Sequence, residues 1–265
     1  MRLCLPAVLA LAAIAAHADT EVDMELVLAV DVSRSMSPWE LEIQRRGYAE
    51  ALVSDEVVSA ITDGFTGRIA LSYLEWAGSG STRVVVDWTL IESREDAERV
   101  AADLMAHTPS SLRRTSISGG IATAAAMFAD NGFTAFRQVI DVSGDGPNNH
   151  GPPVTAARDA AVAQGIVING LPLMTNDGFG GMWNLEDLDV YYLNCVIGGP
   201  GAFVIPVRDW SEFTAAVRRK LVLEIAGLPA VAVPRAVPAR DVTPAAYDCL
   251  IGERIWERNR RWDWQ

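Results

Sequence analysis

Short apolar runs alternate along this chain with stretches whose apolar positions recur every three or four residues, the signature of strands interleaved with helices. The runs predict strands at Glu25–Val32, Arg68–Trp76, Thr82–Leu90, Gln138–Val142, Ile166–Leu173 and Phe203–Val207. Several are apolar almost throughout, as expected where helices shield both faces of a parallel sheet from water. One pair differs: Arg68–Trp76 and Thr82–Leu90 are separated only by Ala77-Gly78-Ser79-Gly80-Ser81. That Gly-rich joint predicts a hairpin and hence one antiparallel edge. The fold class expected is α/β, a doubly wound, mostly parallel six-stranded sheet with helices on both faces.

Helix starts are marked locally. Ser37-Pro38-Trp39-Glu40 forms a capping box with proline at the first helical position. Ser93 and Asp96 open a run through Leu104 in the same way, and Asp209 caps a helix with Trp210, Phe213, Val217 and Leu221 at helical spacing. Small-residue helices are expected at Thr155–Gln164 and around Ile121–Phe128.

The ends of the chain add context. Arg2, the apolar Leu3–Ala15 and Ala16-His17-Ala18 compose a secretory signal over residues 1–18, the alternative being an uncleaved anchor. The expectation is a periplasmic or secreted protein with no membrane span in the mature chain. Residues 19–227 suit one α/β domain, and 228–265 form an arm punctuated by Pro229, Pro234, Pro238 and Pro244. Net charge is −12, and −13 once Arg2 is removed with the signal. An acidic surface repels phosphate backbones, so nucleic acid is not expected as a partner. Removing residues 1–18 leaves two cysteines, Cys195 and Cys249. In an oxidising compartment an even pair reads as a disulfide, against the alternative of two separate buried thiols. With only His107 and His150 remaining, a His/Cys metal centre is disfavoured.

The chemistry concentrates at residues 30–37, VDVSRSMS, between the run Met24–Val30 and Pro38. Asp31, Ser33 and Ser35 fall at the carboxyl end of a strand, where open α/β sheets hold ligands. One carboxylate and two hydroxyls on alternate residues are hard oxygen donors suited to Mg²⁺ or Ca²⁺. A plain strand-to-helix turn is the alternative for so short a motif. Two further loops reach the same rim: Arg114–Gly120 brings Thr115 to a helix start, and Ser143-Gly144-Asp145-Gly146 follows the strand Gln138–Val142.

In this combination the chain resembles the von Willebrand factor type A domain with its metal-ion-dependent adhesion site, across about Met24–Ile225. That resemblance implies that Asp31, Ser33, Ser35, Thr115 and Asp145 hold one divalent cation, Mg²⁺ or else Ca²⁺ or Mn²⁺, whose open position takes an acidic side chain from another protein. Arg113 and Arg114 depart from the glycines that the family often carries before the threonine. They either weaken the ion, recruit an acidic partner, or stand solvated. The exported context and the tail through Tyr247-Asp248-Cys249 resemble a bacterial family of secreted A-domain proteins of uncharacterised function.

The function expected is an exported, metal-dependent protein-binding module. The alternatives are a structural domain whose metal staples loops and a metal-dependent hydrolase. Neither a G-x-S-x-G elbow nor a second aspartate two residues after Asp31 is present, so no enzyme is expected. Trp76, Trp88 and Glu75 either shape a rim or pack the sheet. Asn148, Asn149 and His150 either line the site or form a polar turn. Phe179–Trp183 is an aromatic loop, either a partner surface or plain. Arg254–Gln265, with Trp256, Trp262 and Trp264, is expected to dock on its own domain.

Overall fold

The computed structural model describes residues 19–108, 111–175, 185–227 and 247–262, with side chains to 259 in the last segment. The signal at 1–18, the aromatic loop at 179–183, the proline-rich stretch 228–246 and Trp264 lie outside the described residues, as does the side chain of Trp262.

In chain order the elements are β1 (Thr20–Val22), β2 (Met24–Asp31), α1 (Pro38–Leu52), α2 (Asp55–Thr62), β3 (Ile69–Trp76), β4 (Thr82–Ile91), α3 (Arg94–Ala106) and α4 (Ile117–Ala126). There follow β5 (Phe133–Ala135), β6 (Gln138–Gly144), α5 (Val154–Val162), β7 (Val167–Pro172), α6 (Leu188–Tyr191), α7 (Phe213–Ile225) and α8 (Ile251–Trp262). The main sheet has the order β4-β3-β2-β6-β7, with β4 antiparallel to β3 and the other pairs parallel. A separate two-stranded parallel ribbon pairs β1 with β5.

The main sheet therefore has five strands and not the six expected; its β2–β3, β2–β6 and β6–β7 pairs are parallel, and the antiparallel β3–β4 pair is the edge hairpin. The segment Phe203–Val207 does run beside β7, since Gly170 N–H donates to Phe203 O and Ile205 N–H to Gly170 O, each at 3.0 Å. The next donor of that ladder belongs to Pro172, which carries no N–H. In addition, the Phe203 N–H is claimed at its other end of the segment's approach by the Asn169 side chain at 3.0 Å. Only bridges result, at Val204 and Val207.

Strand β2 is buried at all eight positions because it lies in the middle of the sheet. Its Met24, Leu26, Leu28 and Val30 pack with α1, α2, α3 and α7, whereas Val27 and Ala29 face α4, α5 and α6. The capping box of α1 is formed on both sides: Glu40 N–H donates to Ser37 Oγ at 3.3 Å, and Ser37 N–H to Glu40 Oε2 at 2.7 Å. Cys195, in the turn after α6, is joined by a disulfide to Cys249.

Candidate metal centre

β2, β6 and the start of α4 bring three loops to one rim. β2 ends at Asp31, so the chain turns out of the sheet where α1 begins, and Gln44 of that helix donates to Asp31 O at 2.9 Å. Asp31 accepts the Ser33 N–H at Oδ1, 2.6 Å away. Ser33 Oγ lies 2.9 Å from Ser35 Oγ, and Ser35 Oγ donates to Asp145 Oδ1 at 2.8 Å. An unbroken polar chain thus runs from Asp31 through both serines to Asp145, 110 residues from Ser35 in sequence.

Thr115 is buried on the neighbouring loop. That loop is tied to the first by Leu112 N–H donating to Val32 O at 2.9 Å. It is tied to the third by a reciprocal pair: Asn149 N–H to Thr115 O at 2.9 Å, and Thr115 N–H to Asn149 Oδ1 at 3.0 Å. All five residues singled out by sequence thus sit on three loops that bond to one another.

The electrostatics of the rim suit a cation. Asp31 is fully buried, and its Oδ2 has no hydrogen-bond partner among the described residues. Burial, and then the charge of nearby Asp145, push the Asp31 carboxyl well above the usual range, with Ser33 pulling the other way. Burial likewise pushes Asp145 up to about 6, opposed by the Ser35 hydrogen bond and reinforced by the charge of Glu40. Two carboxylates crowded in a low-dielectric rim, each favouring neutrality, are a pair that a divalent ion would keep ionised. The donor set, two carboxylates and three hydroxyls, consists wholly of hard oxygens and fits Mg²⁺, Mn²⁺ or Ca²⁺. Among the described residues no group of three or more His, Cys, Asp or Glu side chains is placed to hold a metal, so the two carboxylates here would need the hydroxyls as further donors.

Several contributors escaped the sequence reading. Glu40 was legible only as a capping residue, yet it is buried, accepts from Trp210 Nε1 at 3.1 Å and bears on Asp145. Gly144 is a glycine by necessity: a Cβ there would lie 2.9 Å from Tyr192 Oη and 3.0 Å from Asp31 Oδ2. Tyr192 carried no sequence signal at all. Asn148 and Asn149 knit the loops together, and His150 Nδ1 accepts from Ser79 N–H at the hairpin tip, 3.0 Å away. Trp76 is fully buried, Trp88 donates to Met127 O at 2.8 Å, and Glu75 pairs with His107 at 3.1 Å, all within the packed body.

Residues 21–229 match the model of a family described as "Protein of unknown function (DUF1194)". The chain belongs to that family. Solved structures share the fold of this DUF1194 protein. Proximal thread matrix protein 1 of the mussel byssus is 14% identical with a TM-score of 0.58, covering 78% of this chain and 49% of its own. A second structure of that protein, with a zinc-occupied MIDAS motif, is 15% identical over 79% of this chain and 49% of its own, TM-score 0.53. The pilus adhesin SpaC of Lactobacillus rhamnosus GG is 12% identical, TM-score 0.56, covering 77% of this chain and 31% of the adhesin. The DUF1194 chain thus matches about half of the byssus protein and under a third of the adhesin, and at such identities the likeness is one of fold. No curated protein sequence matches it. No helix among its described residues is long and apolar enough to cross a membrane.

Proposed function

We propose that this chain is an exported, metal-dependent protein-binding module in which Asp31, Ser33, Ser35, Thr115 and Asp145 hold one Mg²⁺. The observation that carries the reading is the hydrogen-bonded chain Asp31–Ser33–Ser35–Asp145 beside an unpartnered, buried Asp31 Oδ2. The hard oxygens favour Mg²⁺ over softer ions. With three neutral hydroxyls and two carboxylates, a bound cation keeps positive character, and a carboxylate from a partner protein completes its shell. The zinc in the MIDAS motif of the byssus protein and the adhesive role in the name of the pilus protein support this reading by likeness. Binding rather than catalysis is the role, and residues 1–18 act as the export signal.

Calorimetric titration of Mg²⁺ and Mn²⁺ into wild type and Asp31→Ala tests the site. Binding by wild type and its loss in the variant are expected, because three hydroxyls and one carboxylate do not offset the dehydration of Mg²⁺. Equal binding by the two proteins would remove both the site and the adhesion role.

A second reading, a metal that only staples loops, has one observation in its favour: the candidate ligands already join three separate loops. Excess EDTA separates the two. Loss of partner capture from envelope extract, with melting temperature nearly unchanged, supports adhesion, whereas the reverse supports the staple.

A further inference from the structure

Helix α8 follows the matched family region, which ends at residue 229, yet it reaches back to the rim of the sheet. The disulfide to Cys195 anchors it just ahead of its first turn. From there it meets both loops that carry distant candidate ligands. Gly252 lies so close to the Asn148 carbonyl that a Cβ would collide with its oxygen. Glu253 Oε1 accepts from Asn148 Nδ2 at 2.8 Å. The Arg114 guanidinium lies 3.6 Å from the centre of the Trp256 ring.

Asn148 is a junction. It is fully buried, its Nδ2 also donates to Pro152 O at 3.1 Å, and its Oδ1 accepts the Ser118 N–H at 3.0 Å. Its own N–H donates to Tyr191 Oη at 3.1 Å. Asn148 stands three residues from Asp145, and Arg114 is the neighbour of Thr115. The helix therefore grips each loop within one turn of a proposed ligand, and it does so through side chains rather than by chain connection.

Resting on the metal-binding reading above, we propose that α8 is a strap that positions Thr115 and Asp145 for the cation, with Glu253 and Trp256 as its positioning residues. Partners outside the ligand shell orient ligands, and their loss commonly weakens a metal by about ten- to a hundredfold. The strap acts in that way from the far end of the chain.

The test titrates Mn²⁺ into the full exported chain with its disulfide intact, using wild type, Glu253→Ala, Trp256→Ala and the conservative pair Glu253→Gln and Trp256→Phe. Each alanine variant should bind Mn²⁺ about tenfold more weakly, while its melting temperature in EDTA stays within a few degrees of wild type. Glutamine keeps the acceptor for Asn148 and drops the charge, so recovery in Glu253→Gln assigns the effect to positioning rather than to attraction of the ion. Phenylalanine keeps a ring beneath Arg114 and should recover most of the affinity. Unchanged affinity in both alanine variants overturns the strap and leaves the metal site standing. Loss that the conservative variants do not recover also overturns it, and a wild type that binds no Mn²⁺ removes the metal reading itself.

Discussion

Beneath the sheet, Lys220 of α7 is fully buried between Asp141 of β6, 2.6 Å from its Nζ, and Glu224 one turn further along the helix. Asn169 of β7 donates to Glu224 Oε1 at 2.8 Å, completing a polar cluster that joins α7 to the strand leading to Asp145. Lys220→Met keeps an unbranched side chain, shorter by the terminal nitrogen, and deletes its charge, leaving two buried carboxyls without their cation. Removing one partner of a buried ion pair costs about 3–5 kcal/mol, and one cation facing two acids puts this case near the upper end at pH 8. In wild type, burial pushes Glu224 up to about 7 against the opposing pull of Lys220. A carboxyl whose folded pKa lies above its ordinary value near 4.5 binds its proton more tightly when folded. Its contribution is therefore fully present below about pH 4.5 and lost as pH rises through 7. In Lys220→Met both carboxyls rise further, so the loss continues above pH 7. Urea unfolding of both proteins in EDTA at pH 5 and pH 8 should give a destabilisation near 5 kcal/mol at pH 8, falling to about 2 kcal/mol at pH 5, where protonation removes buried negative charge, that of Glu224 above all. Asp31 and Asp145 titrate in both proteins, and the difference between variant and wild type cancels them. A destabilisation below about 1 kcal/mol at pH 8, or the same value at both pH values, would refute the reasoning.

Gly144→Ala pushes a methyl against Tyr192 Oη and Asp31 Oδ2 and should cost about 1–3 kcal/mol together with weaker Mn²⁺ binding, measured by urea unfolding and calorimetry; an unaffected variant would mean that the rim yields freely. Thr115→Ala should weaken Mg²⁺ less than Asp31→Ala, since water replaces one neutral oxygen, yet should abolish Mg²⁺-dependent partner capture in a pull-down. Reducing the Cys195–Cys249 bridge, which spans 54 positions, should lower stability by about 4 kcal/mol in urea unfolding with and without reductant, and a change below 1 kcal/mol would show that the unfolded chain gains little freedom.

What could be read from sequence was whatever local pattern decides. The apolar run of β2, the capping box at Ser37 and the Gly-rich joint between β3 and β4 each report on their own neighbours, and all three appear in the structure. Helix α2 was missed because its eight residues bury only Val57 and Ile61, too few to impose a period. The three-residue strands β1 and β5 exist only as each other's partners. The sixth strand failed at Pro172, a residue in the partner strand rather than in the segment itself. At the site, Asp31, Ser33 and Ser35 declare themselves by spacing, and Thr115 and Asp145 by their places at a helix start and a strand end. Glu40 and Tyr192 do not, because their part depends on approaches across the fold that no local pattern encodes, and Asn148 was legible only as lining the site or forming a polar turn.

Arg114 has φ of 75°, in the left-handed region that suits glycine. The conformation a glycine would adopt before the threonine is thus kept while the residue is not. A residue with a β-carbon is disfavoured there by about 1–2 kcal/mol, and the guanidinium–indole contact with Trp256 returns a similar amount, about 0.5–2 kcal/mol. The two positions are therefore epistatic. Arg114→Gly is close to neutral when Trp256 is present and stabilising when it is absent, so a double-mutant cycle should show a coupling of about 1 kcal/mol. Among chains of this fold, arginine at this position and an aromatic residue on a C-terminal helix should accordingly occur together, and glycine should stand there where that helix is lacking.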